Sequence, residues 1–244
     1  MPRITRELKA CHGRLAVVLL LASAVSGRGE PLPELLEGVA TAARFAEPAR
    51  ADVRIERADG SAGTGGQAIF LGRDDALYVE VKGGQRALLR PGRIVVLEGG
   101  KAVNAPSGKS FAGTDILLED LVPFTPGSLR TPQISDDGPA GVVVTAAPGA
   151  PSPYSLLVHT IDRERHAIVR TLYYRDLVSN LAKTRRDGAL ARVAGAWRPG
   201  EITVETVRQA TRTRLTLAWR EVGDAPSALF DPAGLEQPSP LSWP

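Results

Sequence analysis

The stretch TRTRLTLAWRE, from Thr211 to Glu221, decides the fold of this chain. Small and apolar residues alternate along it with arginines. One side of an extended strand would carry Thr213, Leu215, Leu217 and Trp219, and the other side Arg212, Arg214 and Arg220. A period of two predicts a β-strand with one buried face and one face in water. Such strands are typical of antiparallel sheets, because parallel sheets are covered by helices on both faces.

The same alternation recurs through the rest of the chain. Val53 and Ile55 alternate with Arg54 and Glu56. A second example has Leu77, Val79 and Val81 on one face and Tyr78, Glu80 and Lys82 on the other. Further strands are predicted over residues 155–161, 167–175, 181–186 and 202–207. Because few long helical patterns intervene, the sequence disfavours βαβ units and a parallel sheet.

Glycine pairs mark the turns between these strands. The pairs are Gly65-Gly66, Gly83-Gly84 and Gly99-Gly100, with Asp59-Gly60 and Asp187-Gly188 as further candidates. Glycine adopts the positive φ values that tight hairpins need. The first half of the chain is therefore predicted to be an antiparallel meander.

Two segments depart from this pattern. A helix is predicted from Pro33 to Ala46, since Pro33 suits a helix start and Pro48 lies just past the end. Its apolar stripe is slim, so we expect it to cover a cleft without filling it. Between Pro123 and Pro153, seven prolines predict long loops around one short strand, Val142 to Ala146.

Residues 1–29 are predicted to be a signal peptide. Four basic residues precede an apolar run from Leu15 to Val25, and small residues near Ala24 and Gly27 suit a cut near 24–29. An uncleaved membrane anchor is the alternative, although the run is shorter than the roughly 20 residues that span a bilayer. We therefore expect a periplasmic protein whose residues 30–244 form a single domain.

Removing this leader changes how the composition is interpreted. The whole chain has 30 basic and 27 acidic residues, but residues 1–29 hold five of the basic ones and one of the acidic ones. The mature protein is thus close to neutral, and it has no basic field that would indicate nucleic-acid binding. The single cysteine, Cys11, leaves with the leader, so no disulfide is expected.

Catalysis has little support in the sequence. The mature chain retains only His159 and His166, has no cysteine nucleophile, and contains no Gly-x-Ser-x-Gly elbow, phosphate-binding loop or paired-cysteine zinc pattern. A clustered hydrolase site is the less favoured alternative. We expect no enzyme activity, no catalytic residues, no cofactor and no metal.

Several separated segments form a combination in a characteristic order. They are Ser110 to Asp115 followed by Glu119-Asp120-Leu121, Ala196 to Gly200, Thr211 to Trp219, Leu229-Phe230 and Gly234-Leu235. This combination resembles the LolA-like outer-membrane lipoprotein-sorting family. The segment Ile116-Leu117-Leu118 departs from that family, which has aromatic or polar residues there. The resemblance implies a mainly β fold, a half-open antiparallel β-barrel covered by one or more short helices. It also implies binding of lipids or lipoprotein acyl chains on the way to the outer membrane.

The candidates for an apolar cleft are the inward positions of the helix and strands. They are Leu35, Val39, Val53, Ile55, Phe70, Leu77, Val79, Ile94, Val96, Leu172, Leu215, Leu217 and Trp219. For each of them, ordinary core packing is the alternative. The expected partners are lipid or lipoprotein acyl chains and an envelope membrane protein, with the chain itself a monomer. Use of the same fold as a sensor or accessory subunit that binds a protein is the second hypothesis.

Charged residues are open to two interpretations. Asp115, Glu119 and Asp120 suit calcium or a partner, but acids also favour a helix start. Arg185 and Arg186, like the arginines of the stretch from Thr211, suit anionic headgroups or a solvated strand face equally well.

Overall fold

A computed structural model describes residues 30–58, 66–176 and 180–243. It contains one α-helix, α1, and thirteen strands within these ranges. The bounds are α1 Leu32–Ala43, β1 Phe45–Ala58, β2 Gly66–Asp74, β3 Ala76–Val81, β4 Arg86–Arg90, β5 Arg93–Glu98, β6 Lys101–Asn104, β7 Leu129–Gly138, β8 Gly141–Pro148, β9 Leu156–Asp162, β10 Ala167–Tyr174, β11 Leu181–Val193, β12 Ala196–Thr206 and β13 Arg212–Glu221.

All thirteen strands form one antiparallel, curved and unclosed sheet. Strand β1 lies beside the central strand, β13, and β2 to β6 follow outward in sequence to one edge. Residues 105–128 then lead to the opposite edge, where β7 begins, and β8 to β13 return strand by strand to β1. We call residues 105–128 the crossing segment. The mainly β, half-open fold expected from the sequence is confirmed.

One face of the sheet, here called the inner face, carries the largest apolar cluster. Val53 and Ile55 of β1 pair with Leu217 and Leu215 of β13, and all four side chains are buried. Phe70 of β2 joins the same cluster. Period-two alternation therefore placed these residues on the buried face, as the sequence predicts.

The opposite, outer face is not left to water along β3. Tyr78 is fully buried and Glu80 is only 8% exposed, because the C-terminal residues pack over them. Leu229 and Leu235 lie in this second cluster, and Ser239 donates to the Glu80 carboxylate. The expectation that Tyr78 and Glu80 face solvent is wrong, since a distant segment covers them.

The helix α1 ends earlier than predicted, at Ala43, and Ala46 already lies in β1. Leu35, Leu36 and Val39 bury one side of α1 against β7 to β9. Pro48 lies in β1 at a bulge where its ladder with β2 is interrupted, a position that tolerates a residue without an amide donor.

The turns agree only in part with the glycine pairs. Gly99 and Gly100 have φ values of 56° and 78° and join β5 to β6, and Gly83 lies between β3 and β4. Asp187-Gly188, in contrast, lies inside β11, and the hairpin to β12 is formed by Ala194 and Gly195. Asp59-Gly60 and Gly65 lie outside the described residues.

The proline-rich region contains more strand than expected. Where long loops were predicted, β7 and β8 form a hairpin through Gly138 and Gly141. Pro132 lies within β7, which is an edge strand, so its missing amide donor interrupts no inner ladder.

The predicted signal peptide falls on residues 1–29, which lie outside the described ranges. Within those ranges, no helix is long and apolar enough to cross a membrane.

Gly72 provides a test of the packing between β1 and β2. A Cβ atom at Gly72 would lie 2.3 Å from the Phe45 ring, so Gly72→Ala forces that ring to move. We expect the free energy of unfolding to fall by about 1–3 kcal/mol, as for other overpacked cores. The control is Gly188→Ala in β11, where a Cβ meets open space. Urea denaturation should separate the two variants, and equal midpoints would contradict this packing.

Candidate functional site

A cavity of about 800 Å³ lies between the inner face, α1 and the crossing segment. Val39, Ala42 and Ala43 of α1 form part of its wall, so the helix covers it as expected. The sheet contributes strands from both sides of β1. The cavity therefore occupies the part of the inner face that the protein's own side chains do not fill.

The structure divides the predicted cleft residues into three groups. Six line the cavity, namely Val39, Phe70, Leu77, Ile94, Leu217 and Trp219. Six others are packed in the core and are not part of the cavity wall, namely Leu35, Val53, Ile55, Val79, Val96 and Leu215. Leu172 lies between the lining residues Thr171 and Tyr173 on β10, so its side chain points to the outer face and it does not belong to the cleft.

The crossing segment explains why part of the inner face is core. Phe111, Ile116 and Leu118 are fully buried in the inner-face cluster, and Phe111 packs 5.6 Å from the Phe70 ring, centroid to centroid. The apolar run Ile116-Leu117-Leu118, which departs from the family pattern, supplies two of these buried side chains. The residues of the crossing segment that line the cavity lie on either side of this filling, at 105–107 and from Glu119 onward.

A buried ion pair holds this segment against the sheet. The Lys183 ammonium of β11 donates to the Asp120 carboxylate, and the two side chains are 3% and 2% exposed. Asp120 also accepts the Leu117 amide at 2.7 Å. Lys183 lies 4.6 Å and 5.0 Å from the Tyr173 and Tyr154 rings, a distance at which the ring faces attract a cation.

A second ion pair lies two residues further along β11. Arg185 donates to both oxygens of Asp187 at 2.6 Å and also to the backbone oxygen of Asp120. Burial alone would lower the pKa of Arg185, but the adjacent Asp187 carboxylate raises the pKa of Arg185 above its ordinary value. Arg185 and Asp187 line the cavity. Arg185 is thus not part of a solvated face, while Arg186 points the other way and pairs with Glu205.

We call Asp120, Lys183, Arg185, Asp187, His159 and Thr171 the polar wall. His159 is its neutral ring. Its Nδ1 lies 3.0 Å from the Thr171 hydroxyl, and its Nε2 has no partner among the described residues. Burial, together with the nearby charge of Arg185, lowers its pKa to about 4. The ring is therefore uncharged at neutral pH.

Arg198 of β12 adds a cation on another side of the cavity. Its guanidinium stacks 3.9 Å from the Phe45 ring and donates to the backbone oxygens of Ala43, at 2.9 Å, and Arg44. These carbonyls lie at the end of α1, where a cation is favourable. Burial lowers the pKa of Arg198 to about 10, which leaves it charged at neutral pH.

Glu119 and Asp115 of the crossing segment accept hydrogen bonds from other groups of the protein. Glu119 accepts the Gly108 amide at 2.9 Å, and burial raises its pKa. Asp115 accepts the Thr213 hydroxyl at 3.3 Å. No group of three or more metal-binding side chains occurs in the described ranges.

Sequence reasoning missed part of the polar wall and also Arg198. Lys183, Asp187 and Arg198 were not candidates, because a charged residue on a strand usually faces water. The uncharged Thr171 was not a candidate either. One signal was present: Lys183, Arg185 and Asp187 repeat at the period of two while Arg186 occupies the other face. Charges on both faces indicate that one set is buried and paired.

Comparison with solved structures places this geometry among known folds. A domain assigned as an outer membrane lipoprotein-sorting protein from Vibrio parahaemolyticus has a TM-score of 0.70 at 13% identity, covering 83% of this chain and 98% of its own. A LolA superfamily protein from Nitrosomonas europaea has a TM-score of 0.66 at 16% identity with the same coverage. A DUF1329 family protein from Desulfovibrio piger has a TM-score of 0.66 at 14% identity, and the match again covers 83% of this chain and 98% of that protein.

Comparison of the sequence with models of protein families identifies the family of this chain. A family model described as "uncharacterized protein" matches residues 101–237, which is more than half of the chain. The chain belongs to this family, and its fold is LolA-like. No curated protein matches the sequence.

The family model begins at β6 and includes the crossing segment and β7 to β13. The polar wall of this LolA-like chain, which includes Asp120 and Lys183, therefore lies within the matched region. Arg198 also lies within this region. Phe70, Leu77 and Ile94, on the apolar side of the cavity, lie before it.

The ion pair between Asp120 and Lys183 should be essential for folding. Lys183→Met removes one partner and leaves the other charge buried, so we expect a loss of about 3–5 kcal/mol in the free energy of unfolding. The matched control is Arg186→Met on the same strand, whose partner Glu205 is 40% exposed and whose loss should stay below about 1 kcal/mol. Guanidinium denaturation measures both. Similar losses for the two variants would show that burial of the pair is not what matters.

His159 should make stability depend on pH. The unfolded ring is protonated near pH 6.5, whereas the native ring stays neutral to about pH 4. Between these values the unfolded state binds more protons, so the free energy of unfolding decreases as pH falls. From pH 6.5 to 5 the contribution of His159 lowers the free energy of unfolding by about 1.5 kcal/mol.

The measurement is the change in unfolding free energy between pH 6.5 and 5. His159→Phe should reduce this change, while His166→Gln, which leaves the buried ring in place, should retain it. The same pH dependence in His159→Phe as in the parent would contradict the assignment.

Proposed function

We propose that this chain is a periplasmic carrier that binds lipid or the acyl chains of a lipoprotein in its inner-face cavity and moves them toward the outer membrane. The cavity of about 800 Å³ is the observation that carries the proposal. Its volume lies in the range of pockets that enclose small ligands, about 300–1,000 Å³.

The apolar side of the cavity suits an acyl chain. Phe70, Leu77, Ile94, Leu217 and Trp219 come from four different strands and form one continuous wall. Burial of a methylene group contributes about 0.8 kcal/mol, so a chain of moderate length binds without any specific polar contact. A carrier needs this kind of surface more than it needs directed hydrogen bonds.

The titratable side chains at the cavity support a binding function without catalysis. Asp120 and Asp187 are both held in ion pairs with β11. His159 faces the Thr171 hydroxyl, but no acid orients its other ring nitrogen within the described residues, and a pKa of about 4 makes it a poor base at neutral pH.

The sheet edges support a monomer. Strand β6 is only four residues long, and β7 contains Pro132 and two breaks in its ladder with β8. Short, bulged or proline-containing edges hinder pairing with a second chain. Export to the periplasm, where a carrier would meet an envelope membrane protein, rests on the predicted signal peptide.

Mass spectrometry of organic extracts tests the proposal. Protein purified from a periplasmic fraction without detergent should carry lipid or an acylated peptide in stoichiometric amount. Leu217→Glu places a carboxylate in the apolar wall and should reduce the bound lipid at least about tenfold, since burying that charge is costly. Ile94→Glu, at a partly exposed position of the same wall, should do so with less effect on folding.

Val207→Glu is the control, because Val207 is 56% exposed and lies away from the cavity. Thermal unfolding shows whether each variant is folded. Clean extracts, together with no binding of fluorescent fatty-acid probes, would reject the carrier and favour a protein-binding accessory subunit.

A further inference from the structure

Arg198 is the buried cation of the cavity that has no acidic partner among the described residues. Its side chain lines the cavity and is 6% exposed. The other buried cations of the inner face differ, since Lys183 pairs with Asp120 and Arg185 with Asp187. A buried charge without a counter-charge costs free energy, so a fixed ligand charge at this position would be stabilising.

Capping of α1 does not use all the donors of Arg198. A guanidinium has five N–H groups in a planar fork. One bond goes to Ala43 and one to Arg44, and the buried Nε has no acceptor among the described residues. The remaining N–H groups can bind an anion while the helix end stays capped.

The charge of the whole cavity wall points the same way. Arg90 and Arg93 lie exposed at its edge, where they add positive charge. Of the lining acids, Asp120 and Asp187 are neutralised by β11, while Glu119 accepts the Gly108 amide, which does not cancel its charge. The four lining arginines together with Lys183 outnumber these three carboxylates, so the cavity favours a negative ligand.

Arg198 also adjoins the apolar wall. The Phe45 ring contacts both groups: it lies 3.9 Å from the guanidinium and 5.8 Å, centroid to centroid, from the Trp219 ring. Trp219 shares β13 with Leu217. A group held at Arg198 can thus continue as a hydrocarbon chain along apolar side chains without crossing the polar residues of β11.

We infer that the ligand of this cavity is an amphiphile with an anionic carboxylate or phosphate headgroup, and that Arg198 binds this headgroup. The inference rests on the proposed carrier function and specifies its ligand class. Arginine suits both anions because its fork matches two of their oxygens at once.

Competition at pH 8 tests this inference, since Arg198 and the ligand acids are then charged. An uncharged fluorescent probe in the cavity is displaced by palmitate, by 1-palmitoyl lysophosphatidate or by neutral 1-monopalmitoylglycerol, each below its micellar concentration. We expect the anionic ligands to bind about 10- to 100-fold more tightly than the neutral one, as for a hydrogen bond to a charged group. Tight binding of palmitate indicates a carboxylate ligand, and tight binding of lysophosphatidate alone indicates a phosphate.

The variants separate headgroup binding from helix capping. Arg198→Gln should abolish the preference for anions and leave the affinity for monopalmitoylglycerol within about twofold. Arg198→Lys keeps the charge and should retain part of the preference. Arg192→Gln, an exposed position of β11 outside the cavity, should behave like the parent.

The parent protein alone can overturn the inference, so it stays testable if Arg198→Gln does not fold. Equal affinity for anionic and neutral ligands would overturn the headgroup assignment and leave the carrier function intact. An anion preference that persists in folded Arg198→Gln would also overturn it. Displacement by none of the three lipids would overturn both proposals.

Discussion

The buried ion pair between Lys183 and Asp120 fixes the crossing segment, and the cavity depends on where that segment lies. The two edges of the unclosed sheet are far apart in strand order, yet β6 and β7 are consecutive in the chain. Residues 105–128 must therefore cross the inner face. Their apolar part fills one section of that face as core, and the ion pair holds the turn after it against β11. Another section remains open beneath α1 and forms the cavity.

This arrangement explains which features could be predicted from the sequence. Alternation along a strand depends only on backbone geometry, so the inward positions of β1, β2 and β13 were identified correctly. Coverage by distant segments does not follow from alternation. The C-terminal residues bury Tyr78, and the crossing segment turns Val79 into core, although nothing within β3 indicates either contact.

The polar wall escaped prediction for a related reason. A lysine, an arginine and an aspartate at alternate positions of β11 look like one more solvated face until the partner of each is known. Asp120 looks like an acid at a helix start, and its role as the partner of Lys183 depends on contact across 63 residues. The turn at Asp187-Gly188 was predicted from local chemistry that also suits a strand interior, where Asp187 binds Arg185.

An ionic wall is compatible with a lipid cavity because its charges are balanced. Lys183 with Asp120 of the crossing segment, and Arg185 with Asp187, form two ion pairs in which each cation of β11 has one carboxylate, and burial keeps His159 neutral. Paired and hydrogen-bonded groups present little net field to a hydrocarbon chain, whereas an unpaired charge would exclude it. Arg198, in contrast, has no paired carboxylate among the described residues. Because it lies at the end of α1 and against Phe45, its charge is placed where a chain can pass from a polar head to the apolar wall. In the proposed carrier, the balanced wall and the unbalanced cation together would orient an amphiphile that apolar burial alone would leave free to bind in either direction.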